Sequence, residues 1–110
     1  GNRARIDRPR HRSSWSPGPV DIGGVAWAVH RGISAVEVRI DDGPWQRCEL
    51  AGVPSDDTWR QWHLRWDATP GEHVIEARAV DGAGEPQPAE PRPPAPDGAQ
   101  GYHRAIVEVA

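Results

Sequence analysis

Apolar and polar residues alternate with a period of two over most of this chain. In ISAVEVRI, residues 33–40, Ile33, Ala35, Glu37 and Arg39 alternate with Val36, Val38 and Ile40, as in a strand half covered by a core. DDG (Asp41, Asp42, Gly43) follows as a strong turn signal, and PWQRCEL then reads as the returning strand of a hairpin over 33–50. The segment 73–81 sets Ile75, Ala77 and Ala79 on one face and Val74, Glu76, Arg78 and Val80 on the other. It enters from the turn TPG and leaves through DGAG. Near the end, RAIVEVA places Ala105, Val107 and Val109 on one face. Near the start, ARID and VDIGGVAWA predict two more strands, joined by the turn-rich SSWSPGP. Gly23 and Gly24 inside the second predict a bulge or a close approach of another backbone.

The stretch TWRQWHLRW, residues 58–66, holds three of the six tryptophans. As a strand it divides into two faces. Trp62, Leu64 and Trp66 share a core-like one, and Trp59, Gln61, His63 and Arg65 share one composed like an interface or a covered outer face. About seven short strands separated by turn signals predict an all-β fold, an immunoglobulin-like antiparallel β-sandwich. No Cys…Trp…Cys framework of the antibody type is present, and nothing repeats at a fixed period.

Composition agrees with one domain over 1–110: the length is that of a single domain. Gly and Pro number 12 each, which argues against long helices. The chain begins at Gly1 without a methionine and reads as a piece of a longer protein. Residues 82–101 form a Pro-rich connection, with six prolines between Pro86 and Pro96, expected to pack across a neighbouring surface. PRPP within it could dock an SH3-like partner, but short proline strings are common in loops.

Charge narrows the partners. The net charge is −3, and all 13 basic residues are arginine. Arg3, Arg5, Arg8, Arg10 and Arg12 make residues 1–12 a basic arm that could touch nucleic acid or anionic lipid. With no aromatic platform among them, a solvated terminus leading into an edge strand explains them at less cost, and no nucleic-acid partner is expected. No apolar run approaches the ~20 residues of a membrane span, so no direct membrane insertion is expected.

Candidate chemistry is sparse. Cys48 is the only cysteine, so no intrachain disulfide can form. The five histidines (His11, His30, His63, His73 and His103) show no HxH or HExxH spacing, and a structural zinc site is not expected. Phosphate-binding glycine loops and a GxSxG nucleophile elbow are missing. Asp41–Asp42 and Asp56–Asp57 could ligate calcium, yet turn chemistry explains both pairs. No catalytic, cofactor-binding or metal-binding residue is assigned. Trp59, Arg60, Trp45, Trp15 and Tyr102 are the candidate interface. Rings of that kind, if coplanar and free, would instead suit an extracellular glycan-binding or adhesive module.

Several segments together carry a resemblance. GGVAWAVHRGISAVEVRIDDGPWQ, then DTWRQWHLRWDATPGEHVIEARAVDGAGEPQP, then DGAQGYHRAIVEV resemble the C-terminal domain of sulfite-oxidase-type molybdopterin-dependent oxidoreductases. The similarity is strongest over residues 19–88 and resumes at 97–109. The features are GVAW (Gly24–Trp27), VEVRIDDGPW, WRQW, GEHVIEARAVDGAGEPQ, and an aromatic-His-Arg before the last strand. The resemblance implies an immunoglobulin-like domain packed on a preceding molybdenum-cofactor domain of the same chain and commonly forming a homodimer. Molybdopterin and its ligating cysteine would belong to that preceding domain, leaving this one without cofactor or catalysis. It implies a parent that transfers two electrons, with oxygen-atom transfer, on a small substrate. His103 and Arg104 match the terminal motif, and an arginine there could shape an anionic substrate entrance in the parent. Where true sulfite oxidases have an Asn-rich stretch and Trp, this chain has DGAQGYHR with Tyr102, so sulfite does not carry over as substrate. The family includes soluble proteins and ones anchored by preceding membrane helices, which would leave this domain extracytoplasmic.

Overall fold

The structure, a computed structural model, describes residues 2–28, 32–51, 59–82, 84, 86–87 and 102–110. Among these are nine strands and no helix: β1 (Asn2–Arg8), β2 (Ser13–Trp15), β3 (Gly18–Ala28), β4 (Ile33–Ile40), β5 (Gln46–Arg47), β6 (Glu49–Leu50), β7 (Trp59–Ala68), β8 (Gly71–Asp81) and β9 (His103–Val109). They form a four-stranded sheet in the order β1-β3-β7-β6 and a five-stranded sheet in the order β2-β9-β8-β4-β5. The first has the A-B-E-D order of an immunoglobulin-type sandwich, and β4, β8 and β9 take the places of C, F and G. The expected fold class is therefore the observed one, with two strands more than the seven anticipated.

Three local expectations are corrected. SSWSPGP is not only a turn: Ser13–Trp15 pairs with Val107–Val109, and in parallel, so the larger sheet is mixed. The return of the 33–50 hairpin pairs with β4 over Gln46 and Arg47 alone. The chain then crosses at Cys48 to the other sheet, where Glu49 and Leu50 face His63 and Trp62. Simple alternation also fails at the start of β4. The register slips between Ile33 and Ala35, and both are buried. Ser34 sits at the slip and donates its hydroxyl to the carbonyls of Val80 and Asp81.

Other expectations hold. Asp41 and Asp42 take φ of 54° and 59°, and the Gly43 N–H donates to the Ile40 carbonyl at 3.0 Å, a type I′ turn. Of Gly23 and Gly24, it is Gly24 that meets the expected close approach of another backbone. A Cβ on Gly24 would lie 1.8 Å from the Arg5 carbonyl oxygen of β1, where β1 carries an irregularity between Ile6 and Arg8. The basic arm is largely an edge strand, paired antiparallel with β3.

With no phenylalanine or methionine, the core is built of Ala, Val and Ile around one indole. Trp62 is 1 % exposed, and its burial contributes on the order of 3 kcal/mol. Leu64 and Trp66 pack against the same core from the same strand face, as the alternation predicts. At the far end Val20, Ala68 and Val109 form a second cluster, also touched by Trp66. Pro86 and Gln87 fold back beside β8 where β9 has ended. Gln87 donates to the Ala79 carbonyl at 2.7 Å, and its side-chain oxygen accepts from the Ala79 N–H. Most of the Pro-rich connection, from 88 to 101, lies outside the described residues.

Candidate functional site

The candidate interface residues do not form one patch. Trp45 and Tyr102 come together on the outward face of the five-stranded sheet, edge to face, with ring centres 5.3 Å apart and planes at 76°. Trp59 lies outward on the opposite sheet and is 54 % exposed. Trp15 stands on β2, at the edge of the larger sheet, and its indole N–H donates to the Ser13 hydroxyl at 2.7 Å. Arg60, next to Trp59, donates to the Ala51 carbonyl at 3.3 Å.

Beneath Trp45 and Tyr102 is a lattice of charge that pattern reading missed. β4 and β8 place Glu37 opposite Arg78 and Arg39 opposite Glu76. Arg78 and Arg39 each donate through Nε to the facing carboxylate at 2.8 Å. Arg47 of β5 lies 3.8 Å from Glu37, and Asp42 of the turn 3.9 Å from Arg39. Both guanidiniums also lie near the Trp45 ring, Arg78 at 4.1 Å and Arg39 at 4.7 Å from its centre. The hydrogen bond to Glu76 holds Arg39 more firmly protonated than a free arginine, against the opposing effect of burial. The signal was present in sequence as Glu-x-Arg in both strands, but only their register opposes acid to base.

His103 and Arg104 separate. The Nδ1 of His103 accepts the Ile6 backbone N–H at 2.7 Å and ties β9 to β1. Arg104 stands in register with Glu76, extending the row Arg39–Glu76–Arg104 across three strands. His11 makes a similar tie, its Nδ1 accepting from the Ile106 N–H at 3.1 Å.

On the four-stranded sheet the outward positions run in rows. Trp59 is in register with Trp27 and, beyond it, Arg3; His63 is in register with Gly23 and, beyond it, Arg8. A cavity of about 150 Å³ opens beside Arg8, Gly24, Gln61 and His63. Trp27 was not singled out from sequence as an interface residue; it entered only as the last residue of the GVAW motif.

The calcium reading gains no support. Asp41 is occupied within the turn: one carboxylate oxygen accepts the Val74 N–H at 2.8 Å, and the other lies 2.6 Å from His73 Nδ1. The other ring nitrogen of His73 lies 2.6 Å from the Thr69 carbonyl. Both ring nitrogens therefore face acceptors, which raises the His73 pKa, the Asp41 hydrogen bond contributing most and burial opposing it. Asp56, Asp57 and His30 lie outside the described residues. Among the described residues no group of three or more His, Cys, Asp or Glu side chains is placed to hold a metal ion. Burial pushes the Cys48 thiol up to about 12, helped by the nearby Glu37 charge. That is the opposite of what a thiolate ligand or nucleophile needs. No described helix is long and apolar enough to cross a membrane.

No family model matches the chain, and no curated protein matches it. Solved structures do. The chain is similar to the sulfane dehydrogenase SoxCD from Paracoccus pantotrophus, with a TM-score of 0.69 and 29 % identity over 80 % of its length. It spans 23 % of that dehydrogenase chain. It is also similar to fibronectin(III)-like modules of Clostridium thermocellum CbhA (TM-score 0.63, 15 % identity), covering 96 % of this chain and 94 % of the module chain. An engineered protein matches with a TM-score of 0.57 and 16 % identity, over 100 % of this chain and 20 % of the other. The last two likenesses show the sandwich fold alone. The first adds a sequence component, shared with a segment of an oxidoreductase.

Proposed function

We propose that this chain is a non-catalytic accessory domain of a larger oxidoreductase of the sulfite-oxidase type, where it docks a preceding cofactor domain and a second copy of itself. The observation that carries this reading is the 29 % identity, over 80 % of the chain, to part of a sulfane dehydrogenase. The order of the strand motifs around GVAW, WRQW and Tyr102-His103-Arg104 supports it independently. A parent acting on a small sulfur compound fits both.

The residues of this chain do not fit a molybdenum–pterin group. Cys48 is a half-buried thiol with a raised pKa at a crossing between sheets, and Asp41, His73, His11, His103, Glu37 and Glu76 are engaged in the turn, the ladder and strand ties. The cofactor is therefore assigned to the preceding domain, and no chemical step is routed through this one. What this chain contributes is surface. The larger sheet's outward face is already neutralised by its own ion pairs and covered by Trp45 and Tyr102. The smaller sheet leaves Trp59 open beside Trp27, and that face is assigned to the second copy. A glycan platform is the weaker reading, because sugar faces stack on coplanar rings and Trp45 meets Tyr102 nearly at right angles.

The test is sedimentation of the complete protein carrying Trp59→Ala. Self-association should weaken by about tenfold or more, as for a central aromatic anchor, with the melting temperature unchanged. A dimerisation constant equal to that of the unaltered protein sinks the assignment of this face. Near-stoichiometric molybdenum in the complete protein, with none in this chain alone, is the accompanying expectation.

A further inference from the structure

Arg8 is placed in an unusual way for a surface arginine. Its Cζ, Nη2 and Nη1 would lie 2.6, 2.6 and 2.8 Å from a Cβ built on Gly23. Three near-equal distances mean that the flat of the guanidinium rests on the glycine, in the space a side chain would fill. Its N–H edges then point along the sheet surface and not into it. On the far side of Gly23, in register on β7, stands the exposed His63, with Glu49 of β6 beyond. The cavity of about 150 Å³ is lined by Arg8, His63 and Gln61 among others.

Asp7 also lines the cavity, but its two oxygens are taken by Arg5, Nε at 2.7 Å and Nη2 at 3.3 Å. The Arg8 side chain has no ion-pair or hydrogen-bond partner among the described residues, unlike those of Arg5, Arg39, Arg47 and Arg78. A guanidinium held flat with a free edge presents two parallel donors, the geometry that takes an oxyanion bidentately. Gln61 and His63 also line the cavity.

We infer that the trough over Gly23 is an oxyanion site, in which Arg8 grips a carboxylate or a tetrahedral oxyanion in bidentate fashion and Gly23 positions the guanidinium by lacking a side chain. The site is about 13 Å along the sheet from Trp59, four residues of extended chain, and does not rest on the docking reading. A free anion and the carboxylate of a bound polypeptide share this chemistry.

The test is a titration of the chain with sodium sulfate and, separately, sodium acetate at constant ionic strength, followed by the amide resonances of Gly23, Gly24 and His63. Saturable shifts confined to those amides are expected. Arg8→Met should weaken binding by about tenfold or more, the loss of a bidentate charged contact. Gly23→Ala should weaken it too while leaving the fold intact, because only the far end of a flexible side chain must move. Arg104→Met, in register with Glu76 on the other sheet, should leave it within about twofold. Sulfate saturating and acetate not marks the ligand as a free tetrahedral anion; acetate saturating as well marks a polypeptide carboxylate as sufficient. Non-saturable shifts with both salts, or equal affinity in Arg8→Met, would overturn the site.

Discussion

Gly23 and Gly24 are neighbours in sequence with opposite tolerance. A methyl group at 23 meets the tip of a flexible arginine, whereas one at 24 meets the backbone of the paired strand. Gly24→Ala should therefore destabilise the domain by about 1–3 kcal/mol, the usual cost of forced overpacking, and loosen β1 first. Urea denaturation of the two alanine variants side by side checks this: Gly23→Ala should match the unaltered chain. His73 carries the second prediction at this scale. Its folded pKa is raised by Asp41 first, then by the Thr69 carbonyl, with Asp41 and Glu108 adding charge; burial acts the other way. The stabilisation is then complete below the ordinary histidine value of about 6.5 and is lost as pH rises through the folded value. Urea midpoints should fall from about pH 6 to pH 9, and His73→Gln should flatten that dependence. A midpoint that rises over the same range would count against the clasp. At this scale the tryptophans were legible: parity on one strand separates Trp62 inward from Trp59 outward, and the structure agrees. The pairing of Asp41 with His73 and of Arg39 with Glu76 was not legible, because the partners lie more than thirty residues apart in sequence.

At the scale of elements, the Trp45 ring holds the β4–β8 ladder closed from outside. It touches two guanidiniums and one phenol ring, and it sits on the turn that leads into the two-residue strand β5. Trp45→Ala should cost about 1–2 kcal/mol from the cation–π and edge contacts, read as a lowered melting temperature. Mutating Trp15, at the β2 edge with its indole bonded to Ser13, should cost less. Turn signals and alternation located the long strands β3, β4, β7, β8 and β9. Of the short ones, β2 escaped, and β5 and β6 were read as one returning strand, because two- and three-residue strands have no periodicity to display; their pairing is imposed by neighbours. The crossing at Cys48 belongs to the same class. Its backbone N–H donates to Val36 in one sheet, while the next two residues pair in the other.

For the whole molecule, the two sheets present different outer faces. The five-stranded face is closed by ion pairs made within the chain, and the four-stranded face leaves Trp59, Arg8 and His63 open. Docking through the open face predicts the loss of self-association in Trp59→Ala at unchanged stability. The alternating pattern, the type I′ turn signal at Asp41–Gly43 and the paired glycines were enough to determine an all-β sandwich, since each is a local demand of the backbone. The motif order carried a resemblance to a domain of molybdopterin-dependent oxidoreductases, and the chain is similar to part of a sulfane dehydrogenase. Which outward residues meet was decided only by register and by the stacking of two sheets. That is why Trp45 joined Tyr102 and two arginines, Trp59 took the opposite face, and Arg8 was laid on a glycine fifteen residues further along the chain. Side-chain alternation specifies a face, but it carries no information about which strand lies alongside.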